Sequence, residues 1–473
     1  MDKDAILGQL ESAAKSIFDN LSLDNIFKSI GFDGNNPRLG WVIPPDFSDI
    51  EAELSECIEL VSGKDKFIFA GMGGSINGIK TLISLSNSSN IYALDSLDPK
   101  AINEVLSSIG GLDKVLVCAV SKSGTTKETQ LIAGSLRESL GSDYKKHFVW
   151  MSDKPSFEKL DSSGWQDAKK ISIQVNGKDD IGGRFSSPHT MVFFFPLFLI
   201  LRRDISKVRD LWEKYVSSRK EVIDKAYAYA LKYKEINEGK FQVIIKDKVY
   251  EGIVNWVIQL FQESLGSKKD GFFVKALVTK PKTSLLGFKK IDAGIDTEDL
   301  YLYTMSCMHF LQMFTAFFSV FKGINFVSQP YVEIYKKELK KLEGKDIPSS
   351  ETVSLKDLPA YIAKYLKPAY EFIDVILYSS ENEVFINSLK SRLAKTFPDK
   401  KVSVFLGSDW NHHSYQAAFK DSKTLFVIAV RKNYERKSLF ISPETAFRSS
   451  RMLQSISYAT FKTLEDKAVY ISF

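Results

Sequence analysis

The chain has 473 residues, too many for one hydrophobic core and suited to two or three domains. Apolar residues at 44% and charged residues at 26% are ordinary for a globular protein. A formal charge of +6 from scattered Lys and Arg is a mild bias toward anionic ligands, and it excludes the dense basic face of a nucleic-acid binder. Cys57, Cys118 and Cys307 are far apart in apolar or helical settings and read as reduced core thiols. Met1-Asp2-Lys3-Asp4 has no apolar signal-peptide core, and the run Met191 to Leu201, interrupted by Pro196, is too short to cross a bilayer. These features predict a cytoplasmic protein with no membrane partner.

Residues 2–60 read as amphipathic helices around a loop at Gly31 to Pro37. A doubly wound pattern follows. Phe67-Ile68-Phe69-Ala70 reads as a strand, Gly71-Met72-Gly73-Gly74-Ser75 as a turn, and Ile76 to Leu85 as a helix. Further strands are expected at Ile91 to Leu94, Val115 to Val120, His147 to Met151 and near Ile171, alternating with helices. Such alternation implies a parallel sheet covered on both faces, with ligands beyond the carboxyl ends of its strands. Both the glycine turn and the polar stretch Ser121-Lys122-Ser123-Gly124-Thr125-Thr126-Lys127-Glu128-Thr129 fall at those ends. The stretch joins a strand to a helix, where unpaired N–H groups and the helix dipole favour an anion. A hydroxyl-rich helix cap is the plainer alternative, but four hydroxyls around one glycine exceed what a cap needs. We read it as a phosphate cradle. The glycine turn fits neither the dinucleotide fingerprint, whose third glycine would fall at Ile76, nor a Walker loop.

The loop Asp179 to Ser186 sets Arg184 beside two glycines, which can bring a permanently charged fork into a cleft. A charged helical stretch, Lys207 to Lys240, leads to a strand at Phe241 to Ile245 and a helix from Tyr250 to Leu265. Gln259 and Glu263 lie one turn apart on it, and a partly desolvated Glu263 suits a general base. Tyr301 to Phe321 reads as a core helix enclosing His309, whose default is a hydrogen-bonded core residue. Gln329 and Lys336 stand about two turns apart and can face one site. From Lys356 a small α/β unit is expected, with Asn411-His412-His413-Ser414 in a loop; two adjacent histidines without a third ligand are a weak metal signal.

Together these motifs resemble the glucose-6-phosphate isomerase family, built from two sugar-isomerase (SIS) domains. The resemblance rests on Gly71 to Ser75, Ser121 to Thr129, Gly182-Gly183-Arg184-Phe185-Ser186, Gln259 to Gly266, and Gln329-Pro330-Tyr331-Val332-Glu333-x-x-Lys336. The last part is weakly similar to the end of the isomerase half of bacterial transaldolase–isomerase fusions. The implied class is α/β: two doubly wound parallel-sheet SIS domains plus a small C-terminal α/β unit, with boundaries at 1–210, 211–345 and 356–473. The resemblance implies sugar-phosphate binding by Ser121, Ser123 and Thr126, with Gly74, Ser75 and Lys122 beside them. It implies Glu263 as the base that moves a proton between C1 and C2, Arg184 as the stabiliser of the enediol oxygen, and Gln259 and Gln329 as hydroxyl holders. Lys336 would assist ring opening, and His309 or His413 would be the ring-opening histidine if this chain supplies one. The family can take that histidine from a second subunit, which implies a homodimer. No cofactor and no metal are implied. Two positions depart from the family pattern, Ser267 and Ser328. An isomerase of another sugar phosphate, such as mannose 6-phosphate, and a non-catalytic sugar-phosphate sensor are the alternatives.

Overall fold

The computed structural model describes residues 1–86, 88–266, 272–436 and 440–473. Ser267 lies outside them. Three parallel sheets organise the chain. In the first, the strand order is Ile91–Leu94, Lys66–Gly71, Val115–Val120, Phe148–Ser152 and Lys169–Ser172. Val115–Val120 is buried at every position because helices cover both faces of this sheet. Its alternate residues feed different cores: Leu116, Cys118 and Val120 face one cluster, Val115, Val117 and Ala119 the other.

The second sheet is narrower. Gly239–Ile244 lies between Lys289–Asp292 and Val274–Thr279. The helix Asp247–Leu265 follows its central strand and packs across the helix Asn77–Ser86 of the first unit. This crossing brings the carboxyl-terminal half of one helix to the crevice of the other sheet. The helix Leu300–Lys322 is long and apolar enough to cross a membrane, yet 89% of its most apolar window is buried inside the protein, where it packs along Ile205–Tyr233. Asp299 caps its start through hydrogen bonds from the Tyr301 and Leu302 amides.

The third sheet has the order Glu351–Thr352, Ala468–Ser472, Thr424–Val430, Phe372–Tyr378 and Lys401–Leu406. The segment expected as a loop around the two histidines is instead a short helix, Asp409–His413. It follows Lys401–Leu406 and lies against the Gly73–Ser75 turn of the first unit.

One ion pair is enclosed between the second and third sheets: Lys275 Nζ with Asp374 Oδ2, both almost fully buried. Burial pushes the Asp374 carboxyl up and the Lys275 charge opposes it. Around this pair, Lys240 meets Glu371 at 2.5 Å and Lys423 meets Glu371 at 3.0 Å. Those outer pairs are half exposed and worth little individually, whereas losing one partner of a buried pair strands a charge. Lys275→Met is expected to cost about 3–5 kcal/mol in urea denaturation followed by circular dichroism, and Lys275→Met with Asp374→Leu to recover much of it.

Candidate active site

The strand Val115–Val120 ends at Ser121, and the helix Lys127–Leu140 begins one turn later with Thr126 at its N-cap position. No side chain caps this helix, so its first-turn N–H groups are available to an anion. Ser121 Oγ donates to Thr126 Oγ1 at 3.1 Å, and Ser123 Oγ accepts from the Thr125 amide at 3.3 Å. Ser152 Oγ donates to the Ser121 carbonyl at 2.6 Å and fixes the base of the loop.

A cavity of about 690 Å³ opens in front of this loop. Ser75, Lys122, Ser123, Thr126, Arg184 and Gln329 line it. Lys122 is turned away from the hydroxyls: its Nζ donates to the carbonyls of Ile181 at 2.6 Å and Asp179 at 3.1 Å. It also stands 3.6 Å from Asp153, whose carboxyl burial pushes up to about 6 against the pull of Lys122. Lys122 thus ties the cradle to the loop that carries Arg184.

That loop touches the glycine turn directly. A Cβ on Gly74 would lie 2.3 Å from the Gly183 carbonyl carbon and 2.7 Å from the Arg184 amide nitrogen. Only glycine permits this approach, and the approach sets the depth of Arg184. Its guanidinium is 2% exposed. Nε donates to Ser264 Oγ at 2.8 Å, one terminal nitrogen donates to the Phe326 carbonyl at 2.6 Å, and the other is 3.3 Å from Glu263 Oε1. Burial lowers the guanidinium's pKa and Glu263 works against that. Glu263 stands one guanidinium behind the cavity lining. Its second oxygen accepts from Gln259 Nε2 at 2.8 Å. Gln259 also donates to the His412 carbonyl at 2.9 Å and accepts from Asn77 Nδ2 at 3.0 Å.

Two expected residues lie elsewhere. His309 is fully buried among Trp41, His189 and Tyr215, with ring centroids 5.5–6.3 Å away. Burial holds its pKa well below the ordinary value, so it neither reaches the cavity nor exchanges protons with a sugar there. His413 is also turned inward, against Phe405 and Ser414 Oγ, and burial holds it at about 3. Lys336 is half exposed and pairs with Glu333 at 2.9 Å.

The residue that sequence reasoning passed over is His412. Its Nε2 is 2.9 Å from Glu128 Oε1, and a Cβ on Gly73 would lie 2.8 Å from the His412 Cβ. Burial alone would lower this imidazole, but the Glu128 charge and hydrogen bond, with Asp409 behind them, raise it above the ordinary 6.5. Burial alone would raise Glu128; His412 outweighs it and holds the carboxyl below its ordinary value. Each partner thus favours the charged form of the other. Asp409 steadies the histidine turn, accepting from the Gly73 amide at 3.4 Å and Asn255 Nδ2 at 3.1 Å.

With this geometry in place, the comparisons point one way. A glucose-6-phosphate isomerase of Campylobacter jejuni is 28% identical over 273 residues, 50% of this chain and 64% of that protein. The enzyme of the same name from Thermus thermophilus is 31% identical over 157 residues, 32% of this chain and 36% of that one. The chain is similar to glucose-6-phosphate isomerases. It spans less than two thirds of the length of these curated relatives. No family model matches it. Among solved structures, a hypothetical protein of Thermus thermophilus superposes with a TM-score of 0.51 at 19% identity, over 72% of this chain and 96% of that one, which shows a shared fold.

Replacing Glu128 with Gln removes the charge that raises the His412 pKa and leaves its burial in place. The His412 pKa, followed by NMR through the ring protons, is expected to fall below its wild-type value. An unchanged titration would mean that Glu128 does not set it.

Proposed function

We propose that this chain is a glucose-6-phosphate isomerase, interconverting glucose 6-phosphate and fructose 6-phosphate through a cis-enediol. The observation that carries this reading is the buried Arg184–Glu263 pair standing behind the cavity that the Ser/Thr cradle opens into. An anion binder alone needs the cradle; it has no use for a carboxylate held against a guanidinium beside it.

In this reading the phosphate sits on Ser121, Ser123 and Thr126 and the first-turn amides, with Ser75 and Gly74 on the opposite wall. His412, whose protonated form Glu128 favours, gives a proton to the ring oxygen and opens the sugar. Lys336, whose charge is felt at both members of that pair, adds positive potential there. Glu263 takes the proton from C2 and returns it to C1, while Gln259 fixes its second oxygen. Arg184 faces the oxygen that gains negative charge, already oriented by Ser264 and the Phe326 carbonyl. Gln329 holds a hydroxyl at the cavity wall. The chemistry uses side chains alone, without metal or cofactor. We propose a cytoplasmic homodimer; His412 of the same chain stands against the glycine turn beside Gly73.

Turnover of fructose 6-phosphate, coupled to detection of glucose 6-phosphate, tests this. Glu263→Gln is expected to lower kcat by about 10²–10⁴ with little change in KM. Tight binding of the sugar phosphate with no turnover by the wild type would favour a sensor instead.

A further inference from the structure

The loop 178–186 is a wall shared by two cavities. Asp179, Gly182 and Arg184 face the crevice described above. Lys178, Asp180 and Ile181 face a second cavity of about 460 Å³, closed on its other side by the end of the helix Lys3–Lys15 and the segment 43–49. None of the residues given a role in isomerisation lines it.

Its buried lining includes Gln174 and His189, 2% and 0% exposed. Gln174 Nε2 donates to Asp153 Oδ1 at 3.2 Å, which leaves Oε1 as an acceptor, and it has no partner. Gln312 Nε2 donates to the carbonyls of Phe185 and Ser187, so its Oε1 is the acceptor that His189 Nε2 meets at 3.1 Å. The proton of His189 is therefore on Nε2, and burial keeps the ring neutral, its pKa lowered to about 3. Nδ1 is a bare acceptor, also without a partner. Two buried acceptors with no donor cost about 1–3 kcal/mol each.

The walls favour the same ligand. Asp46, Asp49 and Asp180 supply three carboxylates against the two ammoniums of Lys15 and Lys178. Ile43, Pro44 and Val175 give apolar surface between them. An anion would meet lone pairs and a net negative wall. An alkylammonium would bring three donors, one positive charge and a methylene chain.

We infer that this second cavity is a binding site for a small aliphatic ammonium, its N–H groups on Gln174 Oε1 and His189 Nδ1 and its charge against Asp180. Gln174 also holds Asp153, which stands against Lys122, so the bound amine would sit one side chain from the sugar-phosphate crevice.

Calorimetric titration of the full chain with 1,4-diaminobutane at neutral pH tests this, with 1,4-butanediol as the uncharged control. The expected result is saturable binding of the diamine, none of the diol, and at least about a tenfold loss of affinity in Asp180→Asn, the size of one charge-assisted hydrogen bond. Asp46→Asn, on the exposed rim, should weaken binding in the same direction should Asp180→Asn disturb the loop. No heat up to about 10 mM diamine, or equal affinity in wild type and both variants, would overturn the inference and assign the two acceptors to water. The readout is amine binding and not turnover, so it stands or falls separately from the isomerase reading.

Discussion

A guanidinium taken wholly out of water is tolerable only if every side of it is met, and Arg184 is met from three separate stretches. Ser264 and Glu263 come from the end of the helix Asp247–Leu265, the Phe326 carbonyl from the segment after the long core helix, and the Gly183–Gly74 contact from the first sheet's glycine turn. Losing Ser264, Glu263 or the Phe326 carbonyl leaves a buried charge short of a partner. The same requirement that stabilises the interior therefore fixes the relative placement of the hydroxyl cradle, Glu263 and Arg184.

The third sheet completes what the first two leave open. Its short helix Asp409–His413 lies over the glycine turn and lowers one histidine toward Glu128, while the next residue, His413, faces inward to Phe405 and Ser414. The two histidines are adjacent in sequence and opposite in electrostatics. One is raised by a carboxylate and the other is depressed to about 3 by burial. The Lys275–Asp374 pair between the sheets holds that unit in register with the rest. The C-terminal unit thus packs against the glycine turn and meets Glu128 through His412.

Much of this was legible in the chain. Parallel strands buried on both faces must be apolar throughout, so Val115 to Val120 and Phe67 to Ala70 announce themselves. The hydroxyl cluster after the first of these, and the glycines before Arg184, follow from what an anion and a close backbone approach require. His309 was also legible by its default, since a histidine in an unbroken apolar helix belongs to the core, and the family resemblance pulled against that. His412 was not legible. Its role depends on Glu128, 284 residues away, and on which of two neighbouring rings a short helix turns outward. The local signals were Asp409 before it and the carboxylate inside the Ser/Thr motif, and neither specifies a partner without the third sheet in place. Gln174 and His189 were hidden for a similar reason: an acceptor is orphaned only once its neighbours are known.

The central claim is that one crevice holds a sugar's phosphate at Ser121 to Thr126 while its reacting carbons lie against Glu263 and Arg184. A crystal structure with an aldonic acid 5-phosphate, whose carboxylate mimics the enediolate, tests this most directly. The expected result places the phosphate on Ser123, Thr126 and the first-turn amides, with the carboxylate about 3 Å from Arg184 and Glu263. A phosphate bound in the cradle with the carboxylate directed into solvent, away from that pair, would contradict it.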